Sequence, residues 1–275
     1  MKRALAVSLP VLGFGLLILG AYLGLVWAPP EREMGDVYRI LYVHVPAAWI
    51  TLLAFSLNLI ASLTYLFRPS ARVFGGIFAG LGLLTVAYLQ VIHTAIKGTL
   101  LAALLLGAFA YGAYYTRKTL TSEWDWDALG EASAEVGVIF NGLLLCLGSI
   151  WARPTWGVWW TWDPRLTTAA IMLVEYVGYL VLRRFVNDAG RRATWSAVVG
   201  IVAYVDILLV WFSVKWWNTL HQPQSTPKTV DWQMVLALRT SAFAFLFLMI
   251  WFVRQRFLIA QSRLVEEISP PPVHA

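Results

Sequence analysis

A short stretch between two long apolar segments, Trp156–Thr167 (WGVWWTWDPRLT), carries four tryptophans within seven residues, Trp156, Trp159, Trp160 and Trp162. Tryptophan is large, flat and amphipathic, and it favours positions where an apolar region meets water. If residues 156–163 form a helical turn, three of the four rings share one face. The stretch therefore predicts an aromatic platform for a planar apolar ligand at a membrane surface. A belt of tryptophans at the lipid headgroups is the alternative interpretation.

The rest of the chain is too apolar for a soluble protein. Of its 275 residues, 59% are hydrophobic and 13% are charged, whereas a soluble domain is about half apolar and a quarter charged. A membrane helix needs about 20 apolar residues. We predict an all-α, polytopic transmembrane helix bundle in a single domain over 1–262, with a cytoplasmic Pro-rich tail over 263–275. The eight predicted spans are 4–27, 45–67, 73–94, 99–116, 135–152, 166–182, 194–213 and 233–253.

The basic residues orient these spans. With the N-terminus in the cytoplasm, thirteen of the 21 Lys and Arg residues fall on cytoplasmic pieces, in agreement with the positive-inside rule. Topology thus explains the net charge of +6, and since no nucleic-acid-binding motif accompanies it, we expect no nucleic-acid partner. The orientation places His44, Trp156–Thr167 and His221 on the outer face. One long helix over 73–116 instead of two spans would separate the two histidines.

These two histidines lie at the ends of apolar segments, in Tyr42–Ala48 (YVHVPAA) and Trp216–Gln222 (WWNTLHQ). Neutral imidazole is a standard axial ligand of haem iron, and an aromatic floor between two imidazoles suits haem. A lone histidine near a membrane surface is more often a hydrogen-bonding core residue, so the hypothesis depends on the pair. The chain's one cysteine, Cys146, excludes a CxxCH attachment site for covalent haem.

The end of the tryptophan-rich stretch predicts the start of a helix. Asp163 followed by Pro164 is typical of an N-cap with proline at the first helical position. Arg165 comes next, near the outer surface. Its guanidinium can bind a carboxylate with two hydrogen bonds, and haem carries two propionates. Arg165 can equally reach the phosphates of lipid headgroups.

Two carboxylates inside apolar spans, Glu175 and Asp206, allow a different class of protein. Ionisable groups are costly there and indicate function, so one alternative is a proton- or ion-coupled transporter that uses both. Another is an assembly subunit that binds no haem. The acidic stretch Thr121–Glu135 has helical spacing and predicts a cytoplasmic surface helix, with Trp124 and Trp126 as interfacial anchors. We find no nucleophile–base arrangement and no nucleotide-binding loop, so we expect no enzyme.

Three motifs resemble one known family. Trp156–Thr167 resembles the tryptophan-rich WWD signature of haem-handling proteins. Tyr42–Ala48 and Trp216–Gln222 resemble the two flanking histidine motifs of the CcmC type of bacterial cytochrome c maturation. The resemblance covers the first two spans and about 132–260.

The resemblance implies a protein of the bacterial cytoplasmic (inner) membrane that holds haem b transiently and non-covalently at the outer surface. The axial iron ligands would be His44 and His221. It implies delivery of haem to a periplasmic chaperone of the CcmE type and association with ABC-exporter subunits of the CcmA/CcmB type and a small CcmD-type subunit. The remaining residues that we expect around haem are Trp156, Trp159, Trp160, Trp162, Asp163, Arg165, Trp216 and Trp217.

Two features depart from the family pattern. The family has six spans, so we expect an inserted helix pair within 73–131, whose role is open, as is that of His93 inside it. Because the inserted spans are even in number, the histidines keep their outer placement. Pro164 stands where the family commonly has alanine, which suits a helix start.

Overall fold

The computed structural model describes residues 2–68, 120–221 and 231–268, and these ranges contain helices and no β-strand. The first helix, α1 (Lys2–Tyr22), continues through a π-helical turn, Leu23–Trp27. A 3-10 turn, Asp36–Ile40, precedes the second helix, α2 (Leu41–Phe67). In these ranges, six helices are long and apolar enough to cross a membrane, which confirms the all-α prediction. The helices are α1 Lys2–Tyr22, α2 Leu41–Phe67, α3 Glu123–Trp156, α4 Pro164–Phe185, α5 Ala189–Trp216 and α6 Trp232–Ile268.

Six of the eight predicted spans correspond to these helices. The other two, 73–94 and 99–116, lie outside the described residues, as does His93. The observed helices are longer than the apolar windows, and α6 runs to Ile268. The predicted tail is therefore helical over 263–268, because polar contacts support helix beyond the apolar segment. Arg192 of α5, for example, pairs with Glu267 of α6 at 2.5 Å.

Consecutive helices run in opposite directions, so the bundle has two distinct ends. The tryptophan end is where α3 and α5 finish and α4 and α6 begin, at Trp156, Trp216, Pro164 and Trp232. The opposite end, where α2 finishes and α3 begins, is the ionic end. There, an ion pair joins Arg68 to Glu123. The chain thus leaves α2 and enters α3 at one end of the bundle, and the first histidine motif remains at the tryptophan end.

The helix α2 lies at the centre of the bundle and packs against α3, α5 and α6. On one side, its Phe55 stacks on Tyr176 of α4 with ring centroids 3.6 Å apart. A Cβ atom at Gly137 of α3 would lie 2.3 Å from the Phe55 ring. Glycine is needed at this position because the aromatic ring occupies the space of a side chain.

The prediction of a surface helix over Thr121–Glu135 is wrong. Most of the stretch forms the first turns of α3, and Trp126 is buried rather than an interfacial anchor. Asp127 accepts two hydrogen bonds from Arg183 of α4, at 2.6 and 2.9 Å, and Glu131 accepts another at 2.9 Å. Arg183 is distant in sequence, so the local acidic pattern looked like a solvated face. The described part of the predicted insertion, 120–131, therefore belongs mainly to α3.

Candidate functional site

A cavity of about 350 Å³ lies between α2, α3, α4, α5 and α6 toward the tryptophan end. Its volume is within the range of small-molecule sites. Both predicted ligands, His44 and His221, line it, although they come from opposite ends of the chain. The structure therefore excludes the alternative that places them on opposite sides. The aromatic residues of the lining are Tyr38, Tyr42, Trp49, Trp151, Trp156, Trp160 and Trp211.

His44 lies in the first turn of α2, where the proline motif predicted it. Its Nδ1 atom is buried and has no hydrogen-bond partner among the described residues. Gly148 of α3 faces the ring, and a Cβ there would lie 3.1 Å from Cε1 of His44. A buried, unsatisfied ring nitrogen is a reason to expect a ligand. His221 and Arg165 line the same cavity as this imidazole.

The segment that carries His221 is held by Asp163. The carboxylate accepts hydrogen bonds from Thr219 Oγ1 at 2.7 and 2.9 Å and from the backbone N–H of Leu220 at 2.7 Å. The backbone N–H of His221 donates in turn to Thr219 Oγ1 at 3.1 Å. Asp163 thus joins the start of α4 to the second histidine motif, a contact that sequence reasoning missed.

Asp163 is also the N-cap of α4, as predicted, and accepts a hydrogen bond from the backbone N–H of Arg165 at 2.9 Å. Burial raises its pKa, but the hydrogen bonds outweigh burial and hold the pKa below the usual value. The carboxylate is therefore ionised at neutral pH. It is not among the residues that line the cavity, so it contacts the histidine segment and not the binding space.

The tryptophan-rich stretch is a loop and not a helical turn. The helix α3 ends at Trp156, and Gly157 follows in a left-handed conformation with φ of 80°. Residues 157–163 are not helical. The prediction that three rings share a helical face is therefore wrong. Glycine permits this abrupt helix end because it adopts positive φ without strain.

The loop divides the predicted platform in two. Trp156 and Trp160 line the cavity. The indoles of Trp159 and Trp162 are 59% and 82% exposed and do not line it. Two further predicted contacts, from the second histidine motif, are likewise exposed and outside the lining, Trp216 and Trp217.

One charged residue of the cavity lining was not predicted from the sequence. Arg239 lies on α6 and lines the same cavity as Arg165. The signal was present in the sequence, because Arg239 interrupts an apolar span, where a charge indicates function. Its proximity to α4 could not be inferred from sequence.

The two carboxylates considered for ion coupling lie elsewhere. Glu175 of α4 and Asp206 of α5 do not line the cavity. Each has one buried carboxyl oxygen, Oε2 and Oδ2 respectively, without a hydrogen-bond partner among the described residues. They therefore take no direct part in the site that contains the histidines.

Comparison with known proteins identifies the family. Residues 1–130 and 126–268 match the sequence profile of the family described as Heme exporter protein C. The Heme exporter protein C of Bradyrhizobium diazoefficiens is 30% identical over 239 residues, 86% of this chain and 70% of that protein. The protein of the same name from Escherichia coli is 30% identical over 237 residues, 85% and 74% of the two chains.

A plant relative extends the comparison. A putative cytochrome c biosynthesis ccmC-like mitochondrial protein of Arabidopsis thaliana is 29% identical over 262 residues, 92% of this chain and 79% of that protein. The profile match and these identities agree with the three motifs and with the membrane-spanning helices. The chain belongs to the Heme exporter protein C (CcmC) family.

Proposed function

We propose that this protein binds haem b non-covalently in the cavity at the tryptophan end and hands it to a periplasmic haem chaperone of the CcmE type during cytochrome c maturation. The observation that carries the proposal is the convergence of His44 and His221 on one aromatic cavity. The names of the relatives, a heme exporter protein and a cytochrome c biosynthesis protein, support the same conclusion.

The residues of the cavity suit haem as cargo. Haem has a flat apolar ring, an iron that accepts axial imidazoles and two carboxylates. The cavity offers indole rings from Trp156 and Trp160, the two histidines and Arg165. Imidazole coordination and stacking are reversible, as a handover requires, whereas thioether bonds are not. Cys146 does not line the cavity.

The exposed tryptophans have a different proposed role from those that line the cavity. At the tryptophan end, four tryptophans are 49–82% exposed and do not line the cavity, Trp159, Trp162, Trp216 and Trp217. We assign them to the membrane surface or to the edge of haem, where an incoming chaperone would meet the porphyrin. The distribution of Lys and Arg supports a cytoplasmic N-terminus and an outer face for the tryptophan end. Energy for release would come from ABC-type subunits, of the CcmA/CcmB type, with a CcmD-type subunit.

Visible spectroscopy tests the proposal. The protein is purified in mild detergent, supplied with haem, and measured oxidised and reduced beside His44→Ala and His221→Ala. His274→Ala, in the C-terminal tail, is the matched control. We expect a six-coordinate bis-histidine spectrum that changes in both cavity variants and is preserved in the control. A protein that takes up no haem, or whose spectrum is the same in all variants, would contradict the proposal and direct attention to Glu175 and Asp206.

A further inference from the structure

The cavity has an unusual balance of charge. Among the residues that the structure describes, its lining contains two guanidinium groups, Arg165 and Arg239, and no Asp or Glu. In the described ranges, neither arginine forms a salt bridge, although five arginines toward the ionic end do so, Arg68, Arg183, Arg192, Arg256 and Arg263. Asp163 lies near Arg165, but its oxygens are engaged by Thr219 and by backbone N–H groups. Within the described part of the chain, the cavity therefore presents two cations that no carboxylate neutralises through a salt bridge.

The two arginines approach the cavity from different helices. Arg165 belongs to the first turn of α4, and Arg239 lies seven residues after the start of α6, about 10 Å along the helix axis at 1.5 Å per residue. Arg239 is exposed rather than buried, so its guanidinium is open to a ligand, and a charge within an apolar span is costly unless an anion accompanies it. An anionic group that enters the cavity removes this cost, and a planar carboxylate matches the guanidinium with two parallel hydrogen bonds.

We propose that Arg239 is a carboxylate-binding residue and that, with Arg165, it selects porphyrins that carry two free propionates. This inference rests on the proposed function, because it concerns the same cavity and cargo. It adds a specificity determinant on α6 that is independent of iron ligation. A lipid phosphate offers similar anionic oxygens, so the test has to separate a porphyrin carboxylate from a lipid headgroup.

The experiment compares haem with haem dimethyl ester, in which both propionates are neutral. Dissociation constants are measured by absorbance titration in neutral detergent without phospholipid, for the wild type, Arg239→Gln and Arg165→Gln. Arg254→Gln is the control, since Arg254 lies on the same helix and does not line the cavity. A charge-assisted hydrogen bond stabilises a complex enough for an effect of about tenfold or more.

We expect the wild type and Arg254→Gln to bind haem at least about tenfold more tightly than the ester. Arg239→Gln should bind haem about tenfold more weakly than the wild type does, and it should bind the ester with the affinity of the wild type. The axial-ligand spectrum should remain bis-histidine throughout, because the iron ligands are unchanged. A smaller preference for haem in Arg165→Gln as well would show that both arginines act on the propionates.

Other outcomes overturn the inference. If Arg239→Gln weakens the binding of haem and of the ester equally, or changes the binding of neither compound, then Arg239 does not bind propionate. If its effect appears only when anionic phospholipid is added, and without discrimination between haem and ester, the anion is a lipid phosphate. If the wild type binds neither compound, the proposed function itself fails. If the wild type binds both equally with a bis-histidine spectrum, only the carboxylate selection fails.

Discussion

Replacing Asp163 with alanine should weaken haem binding far more than it destabilises the fold. The carboxylate accepts hydrogen bonds from the side chain of Thr219 and the backbone N–H of Leu220, both just before His221. A further hydrogen bond, from the backbone N–H of Arg165, caps α4. Loss of the carboxylate therefore frees the histidine segment and removes one helix cap.

The size of the effect follows from these contacts. A hydrogen bond to a charged group contributes about 1.5–3 kcal/mol. The two donors of the histidine segment thus give about 3 kcal/mol at the lower end, which at 1.4 kcal/mol per factor of ten is about a 100-fold loss of haem affinity. Thr219→Val removes one donor and should cost about tenfold, whereas Thr219→Ser keeps the hydroxyl and should bind as the wild type does. The lost cap reduces stability by about 1 kcal/mol.

Haem titration and the visible spectrum measure these effects, with the loss of one axial imidazole as the specific signature. Asp188→Ala is the matched control, because Asp188 caps α5 through Arg191 N–H at 2.7 Å and is at the ionic end. It should lose similar stability and no haem affinity. Asp163 does not position His221 if Asp163→Ala binds haem as tightly as Asp188→Ala, or if Thr219→Val and Thr219→Ser bind haem equally well.

Three further outcomes are expected. Folding lowers the pKa of Asp163, so its carboxylate stabilises the folded protein fully above pH 3.8, the usual pKa, and ceases to do so as pH falls through the lowered pKa. The Tm of the wild type should therefore exceed that of Asp163→Asn by less below about pH 4 than at neutral pH. A Tm difference that does not change with pH would contradict this. Gly148→Ala places a Cβ 3.1 Å from the ring of His44 and should reduce haem affinity severalfold. Gly142→Ala, on the same helix, should not, because no described atom beyond the glycine's own stretch of helix lies within 4 Å of the added Cβ; equal affinities for the two variants would contradict this expectation. Arg183→Ala leaves the buried carboxylate of Asp127 unpaired, whereas Glu131 keeps Arg263, and it should destabilise the protein by about 3–5 kcal/mol in detergent thermal unfolding. The exposed Arg184→Ala should change little, and similar Tm values for the two would show that the buried pair contributes no stability.

Much of the helical framework could be predicted from the sequence, because a membrane span depends on a local run of apolar residues. Asp163 and Pro164 marked the start of α4 for an equally local reason, since an N-cap requires only its own side chain and the next few backbone N–H groups. For the tryptophan-rich stretch, the same local criteria gave a wrong prediction. Its spacing fits a helical turn, but Gly157 at positive φ ends the helix before the turn can form.

The site required knowledge of which helix faces meet. Apolar spans of similar composition can pack on several faces, so sequence did not show that Gly148 leaves room for His44 or that Asp163 holds the segment before His221. The same is true of Arg239, whose charge was visible in the sequence and whose position beside the cavity was not. Local hydrophobicity and capping determine where the helices lie along the chain. Contacts between residues distant in sequence depend on the packed bundle, and in this protein they shape the candidate haem site.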